Sequence, residues 1–150
     1  RETCRRKPYQ LLASRAKQKG YQVELININW EKNLLEQVFP VPPSAVVVGF
    51  SLGAILARLV AQKFSCKLII LASMTPLRYF RNKKDIQLLA QVTGKDFVAD
   101  IKKNIRSKHL AKKQIIFYGD KEGEIGDVIV QKTGHKLNNK YIDDILRNLK

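Results

Sequence analysis

The sequence predicts an α/β fold in which a mostly parallel sheet carries helices on both faces. Short runs of β-branched and aliphatic residues, such as residues 45–48 and 67–71, alternate with longer segments whose apolar residues recur at helical spacing. Glycine, proline and polar residues separate these segments, as they do in connections between strands and helices. With 150 residues, 45% of them hydrophobic, the chain can form a single domain with a buried core.

The first part of the chain predicts a helix, a strand and a second, shorter helix. Residues 9–19 place leucines on one face and basic residues on the other, and Gly20 ends this amphipathic helix. Residues 21–27 alternate and then become apolar, which predicts a strand. A short helical stretch over residues 31–39 follows, and three nearby prolines break it.

The remaining elements follow the same alternation, with one interruption. The residues after the strand at 45–48 are rich in alanine and leucine and lack proline, which predicts a helix over residues 54–64. An insertion over residues 74–113 then departs from strict alternation and is expected to hold helices near 85–91 and 95–105. The other predicted elements are strands at 67–71, 114–118 and 128–131 and an amphipathic helix at 140–150.

A Gly-Phe-Ser-Leu-Gly pentapeptide stands between the strand at 45–48 and the helix at 54–64, with Ser51 at its centre. A serine nucleophile needs a tight turn that exposes its hydroxyl, and glycine is used where a Cβ would collide with a neighbouring element. The helix that starts there aims free N–H groups at the reacting centre, so the Leu52 N–H would donate to an oxyanion. The alternative is an ordinary glycine- and serine-rich turn of a doubly wound sheet.

Three polar residues lie at predicted strand ends, in the order Ser51, Asp120, His135. The carboxyl ends of parallel strands meet at one edge of a sheet, so we expect these side chains to lie together. A histidine can take the proton of a serine hydroxyl, and a carboxylate can hold the imidazole in the required tautomer. The alternatives are that Asp120 caps a turn and that His135 is a surface turn residue.

On these residues and their order, the chain from about residue 9 to the end resembles the α/β-hydrolases. The resemblance implies Ser51 as nucleophile, Asp120 as acid and His135 as base, with residues 74–113 forming a helical lid. It also implies a serine hydrolase that cleaves an ester, thioester or amide of a small-molecule acyl substrate through an acyl-enzyme, with no metal or cofactor.

Neighbouring residues complete the expected site. Phe50, next to the nucleophile, and Met74, at the start of the lid, are expected to contact the substrate. His109 lies among the lysines of the lid, so we expect it to be solvated rather than catalytic. Three further carboxyl groups close to Asp120 remain candidates for the acid: Glu122, Glu124 and Asp127.

The sequence departs from the family pattern in two places. Only fourteen residues separate Asp120 from His135, so the last strand is expected to be short or irregular. The strand that the family places between those at 21–27 and 45–48 is missing, together with the loop that supplies a second oxyanion donor. Because the chain starts with Arg1 rather than Met, we expect it to be a fragment, unless the two flanking strands pair directly. Because one oxyanion donor is missing, we expect the activity of this chain to be impaired.

The charge is strongly basic: 28 Lys and Arg face 13 Asp and Glu, for a net charge of +15. An A+T-rich coding sequence would explain the abundance of lysine without any partner. Alternatively, the domain is catalytically weak or inactive and binds an anionic partner through its basic surface. No block of Lys and Arg with interleaved aromatics is present, so we do not expect nucleic acid as that partner.

Cysteines and hydropathy predict a location. Cys4 and Cys66 form neither a metal-ligand spacing nor a disulfide framework, which predicts a reducing cytoplasm. No apolar run reaches 18 residues, so no membrane span is expected. The sequence does not indicate an oligomeric state.

Overall fold

The computed structural model describes residues 3–29 and 32–149. This part of the chain forms a four-stranded parallel sheet and five α-helices. The strands lie side by side in chain order: β1 (Val46–Phe50), β2 (Leu68–Ala72), β3 (Lys113–Gly119) and β4 (Val128–Val130). The helices are α1 (Lys7–Gln18), α2 (Leu52–Lys63), α3 (Lys83–Thr93), α4 (Lys95–Asn104) and α5 (Asn139–Arg147). The predicted α/β class is confirmed.

Helices cover both faces of the sheet, and β2 is therefore buried on both sides. Ile69 and Leu71 contribute to the apolar cluster that contains α2, whereas Leu68 and Ile70 contribute to the cluster that contains α1 and α5. A strand in this position must be apolar along its whole length, which explains its continuous run of aliphatic residues. None of the helices in the described part of the chain is long and apolar enough to cross a membrane.

Two predicted elements of the first part of the chain take a different form. Residues 21–27 form no strand, because a strand requires a ladder partner and these residues pair with no other strand. The helical stretch predicted at 31–39 is reduced to a 3₁₀ helix, Leu34–Gln37, and its first residue, Glu31, lies outside the described residues, as do Arg1 and Lys150. The final strand, β4, is short as predicted, with three residues.

β1 is an edge strand, and a groove runs along its outer side. The Ser51 N–H donates to the Ala72 carbonyl on β2. Along a strand, the backbone N–H and C=O groups of successive residues alternate between its two edges. Val46, Val48 and Phe50 therefore direct these groups away from β2. The direct pairing of β1 with residues 21–27 is therefore not formed. Instead the two segments line a groove of about 870 Å³.

The segment 74–113 contains α3, α4 and a 3₁₀ helix, Leu77–Phe80. Its start is held by Tyr118 on β3, whose hydroxyl donates to the Met74 carbonyl over 2.6 Å. The Arg78 guanidinium contacts both carboxylate oxygens of Glu124, at 2.8 and 2.7 Å, in the loop between β3 and β4. The 3₁₀ helix is thereby fixed to the carboxyl edge of the sheet.

Candidate active site

Ser51 occupies a strained turn between β1 and α2. Its backbone has φ +56° and ψ −121°, a conformation that side-chain-bearing residues rarely adopt. Its N–H donates to the Ala72 carbonyl over 2.9 Å, which ties the turn to β2. A Cβ on Gly49 would overlap the backbone of Gly53 and lie 2.6 Å from the Ala54 Cα, so strand and helix approach too closely there for any other residue. The expected strand–serine–helix arrangement is present.

The structure brings Ser51 and His135 into hydrogen-bond contact. His135 Nε2 lies 2.9 Å from Ser51 Oγ, and His135 Nδ1 lies 3.0 Å from Glu122 Oε1. The imidazole therefore links the serine hydroxyl to a carboxylate, one on each ring nitrogen. The His135 side chain is 56% exposed, whereas that of Glu122 is only 9% exposed. The site thus has an accessible histidine that joins the serine hydroxyl to a carboxylate that is largely shielded from solvent.

Asp120 does not occupy the predicted position beside His135. Its carboxylate accepts the N–H groups of Lys132 and Thr133, both over 2.8 Å. The two backbone hydrogen bonds, from Thr133 first and then Lys132, lower the pKa of the Asp120 carboxyl. Asp120 therefore fixes the loop that leads into His135. The chain turns through a 3₁₀ helix, Asp120–Glu122, directly after β3, and this turn gives the place beside the imidazole to Glu122.

The other two candidate acids have different partners. Glu124 binds Arg78 and also accepts from the Tyr79 hydroxyl over 2.8 Å. Asp127 accepts the Ile116 N–H over 2.8 Å. Among the four carboxyl groups considered, Glu122 alone contacts His135 in the described structure.

Glu122 is held by several donors. Its Oε2 accepts from the Tyr141 hydroxyl over 2.6 Å, the Ser73 hydroxyl over 2.8 Å and the Gly119 N–H over 2.6 Å. Burial acts to raise the pKa of the Glu122 carboxyl, but the hydrogen bonds from Tyr141, Gly119, Ser73 and His135 outweigh it and lower the pKa below its ordinary value. Glu122 is therefore ionised at neutral pH, as an acceptor for the imidazole N–H must be.

Leu52 is the first residue of α2, so its N–H has no acceptor within the helix. The Ser51 N–H is already bonded to Ala72, which leaves the Leu52 N–H as the donor next to the serine hydroxyl. The positive end of the helix dipole lies at the same place. The groove along β1 borders both Ser51 and Leu52, so it reaches the candidate site.

Met74 and His109 do not lie where the sequence predicted them, whereas Phe50 lies at the site. The Phe50 ring is largely buried, with its centroid 5.3 Å from that of His135, and Phe50 is among the residues that line the groove along β1. Met74 is buried in the apolar cluster that contains α2, because the chain turns inward after β2. His109 is partly buried near the carboxyl end of α2 rather than solvated, and burial, followed by the charge of Arg58, lowers the pKa of its imidazole.

Ser73 and Tyr141 are the residues of this site that sequence reasoning missed. Ser73 directly follows β2, and its position at the carboxyl end of a parallel strand was a usable signal. Tyr141 lies in the first turn of α5, where it reads as an ordinary core residue of an amphipathic helix. Its hydrogen bond to Glu122 becomes visible only when the elements are assembled.

Within the described residues, no group of three His, Cys, Asp or Glu side chains could hold a metal ion. The chain matches no protein-family model, no curated protein and no solved structure. A function for this chain must therefore be inferred from the geometry around Ser51.

Proposed function

We propose that the protein is a serine hydrolase of the α/β-hydrolase type that cleaves an ester, thioester or amide. The observation that carries the proposal is the chain of contacts from Ser51 Oγ to His135 Nε2 at 2.9 Å and from His135 Nδ1 to Glu122 Oε1 at 3.0 Å. The strained backbone of Ser51 and the helix N-terminus beside it support the same chemistry. The order Ser51, Glu122, His135 along the chain matches that of this class.

The ionised Glu122 accepts a hydrogen bond from the N–H at His135 Nδ1, which keeps the proton on that nitrogen and leaves the lone pair of Nε2 free to face Ser51. Ser51 Oγ attacks the carbonyl carbon as its proton moves to His135 Nε2. The resulting oxyanion accepts a hydrogen bond from the Leu52 N–H. His135 then gives the proton to the leaving group, and the C–X bond breaks to form the acyl-enzyme. Water, activated by the same nitrogen, releases the acid and restores Ser51.

The groove along β1 supports the binding of an acyl substrate. Three of its lining residues, Leu25, Ile26 and Val48, are apolar and exposed. An acyl chain lying in the groove would cover this apolar surface and present its carbonyl to Ser51 and Leu52. The segment 74–113, which would serve as the lid, contributes Phe97 to the same groove.

The experiment is labelling with a fluorophosphonate probe, which reacts with an activated serine. We expect the native chain to be labelled and Ser51→Ala and His135→Ala to lose labelling, since one removes the nucleophile and the other the base. Absence of labelling in the native chain would contradict the proposal. Salt-sensitive binding of a polyanion that ignores Ser51→Ala would then favour a binding domain.

The same assay distinguishes the two neighbouring carboxylates. Glu122→Gln should lower the labelling rate on the order of 10³–10⁴-fold, because an amide no longer selects the imidazole tautomer that the reaction needs. Asp120→Asn is the matched control, since it removes the same charge two residues away, and should cost less than about tenfold. Equal losses in the two variants would contradict the assignment of Glu122.

A further inference from the structure

Two buried hydroxyl groups from distant parts of the chain meet on the oxygen of Glu122 that faces away from His135. Ser73 is 2% exposed and Tyr141 is 0% exposed. Their hydroxyl oxygens lie 2.6 Å from each other, and both lie within hydrogen-bond distance of Glu122 Oε2. With the Gly119 N–H, three donors surround this oxygen, whereas Oε1 contacts His135.

We propose that Tyr141 and Ser73 are positioning residues that hold the Glu122 carboxylate in place and turn its Oε1 toward His135. The inference deepens the proposed hydrolase function and rests on it. Three donors saturate Oε2, so the carboxylate cannot rotate without breaking them, and Oε1 remains for the imidazole. A protonated carboxyl group would offer His135 Nδ1 a weaker acceptor, and the imidazole would lose its fixed tautomer.

The backbone and core fix both hydroxyls in place. Ser73 has φ +49°, and its N–H donates to the Phe117 carbonyl over 2.8 Å, so its side chain is held at the end of β2 in a strained conformation. The Tyr141 ring packs edge-on against Phe50 with centroids 5.6 Å apart. Burial, followed by the hydrogen bond to Glu122, raises the pKa of the Tyr141 hydroxyl, so it keeps its proton and remains a donor.

A purely structural role is the competing explanation, since buried hydroxyl groups need partners in any protein. The two roles differ in what they require of Glu122. A positioning residue acts through the carboxylate, so removing its hydroxyl should have no effect on the reaction once the carboxylate itself is gone. A structural residue would affect the site equally in both backgrounds.

The experiment is a double-mutant cycle on the rate of fluorophosphonate labelling. Tyr141→Phe and Ser73→Ala each remove one hydroxyl oxygen, and we expect each to lower the rate roughly tenfold with Glu122 present. In the Glu122→Gln background we expect the same substitutions to change the rate less than about twofold. Equal factors in the two backgrounds would overturn the proposal.

Tyr118→Phe is the matched control. Tyr118 is also a buried tyrosine, and its hydroxyl donates to the Met74 carbonyl rather than to Glu122. We expect it to leave the labelling rate unchanged while destabilising the fold to a similar degree. A rate loss in Tyr118→Phe as large as in Tyr141→Phe would show that any buried hydroxyl has this effect, and would overturn the proposal.

A second measurement separates this inference from the hydrolase function itself. The titration of the Glu122 carboxyl carbon can be followed by NMR in the native chain, in Tyr141→Phe and in Ser73→Ala, whether or not Ser51 reacts with the probe. We expect the pKa of Glu122 to rise in both variants, because each loses a donor to the ionised form. An unchanged pKa in both variants would overturn the proposed role even in an active enzyme.

Discussion

Gly49 and Gly53 flank Ser51 at equal distances in the sequence, but their surroundings differ. Any Cβ on Gly49 would meet the backbone of Gly53 and Ala54, because β1 and the first turn of α2 touch there. A Cβ on Gly53 would meet no atom within 4 Å. The turn that positions Ser51 therefore requires glycine at position 49 but not at position 53.

We expect Gly49→Ala to lower the free energy of unfolding by about 2–3 kcal/mol, because the strand and the helix would have to separate. Gly53→Ala is the control within the same pentapeptide, and we expect it to be neutral or to stabilise the chain by up to about 1 kcal/mol, since alanine is the better helix former. Urea denaturation of both variants measures the difference. A destabilised Gly53→Ala and an unaffected Gly49→Ala would contradict this account.

The contact between Ser51 and His135 could be predicted from the sequence, whereas the carboxylate that lies beside the imidazole could not. Ser51 and His135 each stand at the end of a predicted strand, and the shared edge of a parallel sheet brings such residues together. Asp120 and Glu122 lie two residues apart directly after β3, so both are at the same edge of the sheet as His135. A single 3₁₀ turn decides which one faces the imidazole, and its geometry depends on Gly119, Ser73 and Tyr141.

At the scale of elements, α2 supports the site at one end and the segment 74–113 at the other. The N-terminus of α2 lies next to Ser51. Farther along the helix, Arg58 holds the end of the segment 74–113. The Arg58 guanidinium is buried and donates to the carbonyl groups of Arg106 and Ser107 and to the side chain of Gln114. One side chain thus fastens the loop between α4 and β3 to the middle of α2.

We expect Arg58→Met to lower the free energy of unfolding by about 2–4 kcal/mol, because the loop carbonyl groups and the Gln114 side chain would lose the buried guanidinium that fastens them to α2. Lys63→Met removes the same charge from the exposed end of the same helix and should change the stability by less than about 0.5 kcal/mol. Thermal unfolding of both variants checks the expectation. Equal effects would show that net charge, rather than the buried hydrogen bonds, sets the stability.

The elements with internal hydrogen bonding or clear apolar periodicity could be predicted from the sequence. α1, α2 and the three longer strands lie within a few residues of their predicted bounds. The absence of a strand at 21–27 could not be predicted from the periodicity of these residues, because a strand forms only where another strand pairs with its backbone. Residues 21–27 do alternate in polarity, but in the structure they line a groove instead of pairing with another strand.

At the scale of the whole molecule, the site forms where separate parts of the fold converge on one edge of the sheet. β1 and α2 position Ser51, the loop after β4 positions His135, and the turn after β3 positions Glu122. α5 contributes Tyr141 from the face opposite α2. A substitution in one of these elements therefore affects the serine–histidine contact only through the site residue that this element positions.

The open side of β1 also has a consequence for the exchange of backbone protons with solvent. Within this one strand, Val47 and Gly49 direct their amides to β2, whereas Val48 and Phe50 direct theirs into the groove, where no described residue accepts them. In native-state hydrogen exchange followed by NMR, we expect the first pair to exchange orders of magnitude more slowly than the second, although all four share one strand. Equal protection along β1 would mean that its outer edge is covered in solution. A slowing confined to Val48 and Phe50 after addition of another molecule would identify the groove as its binding place.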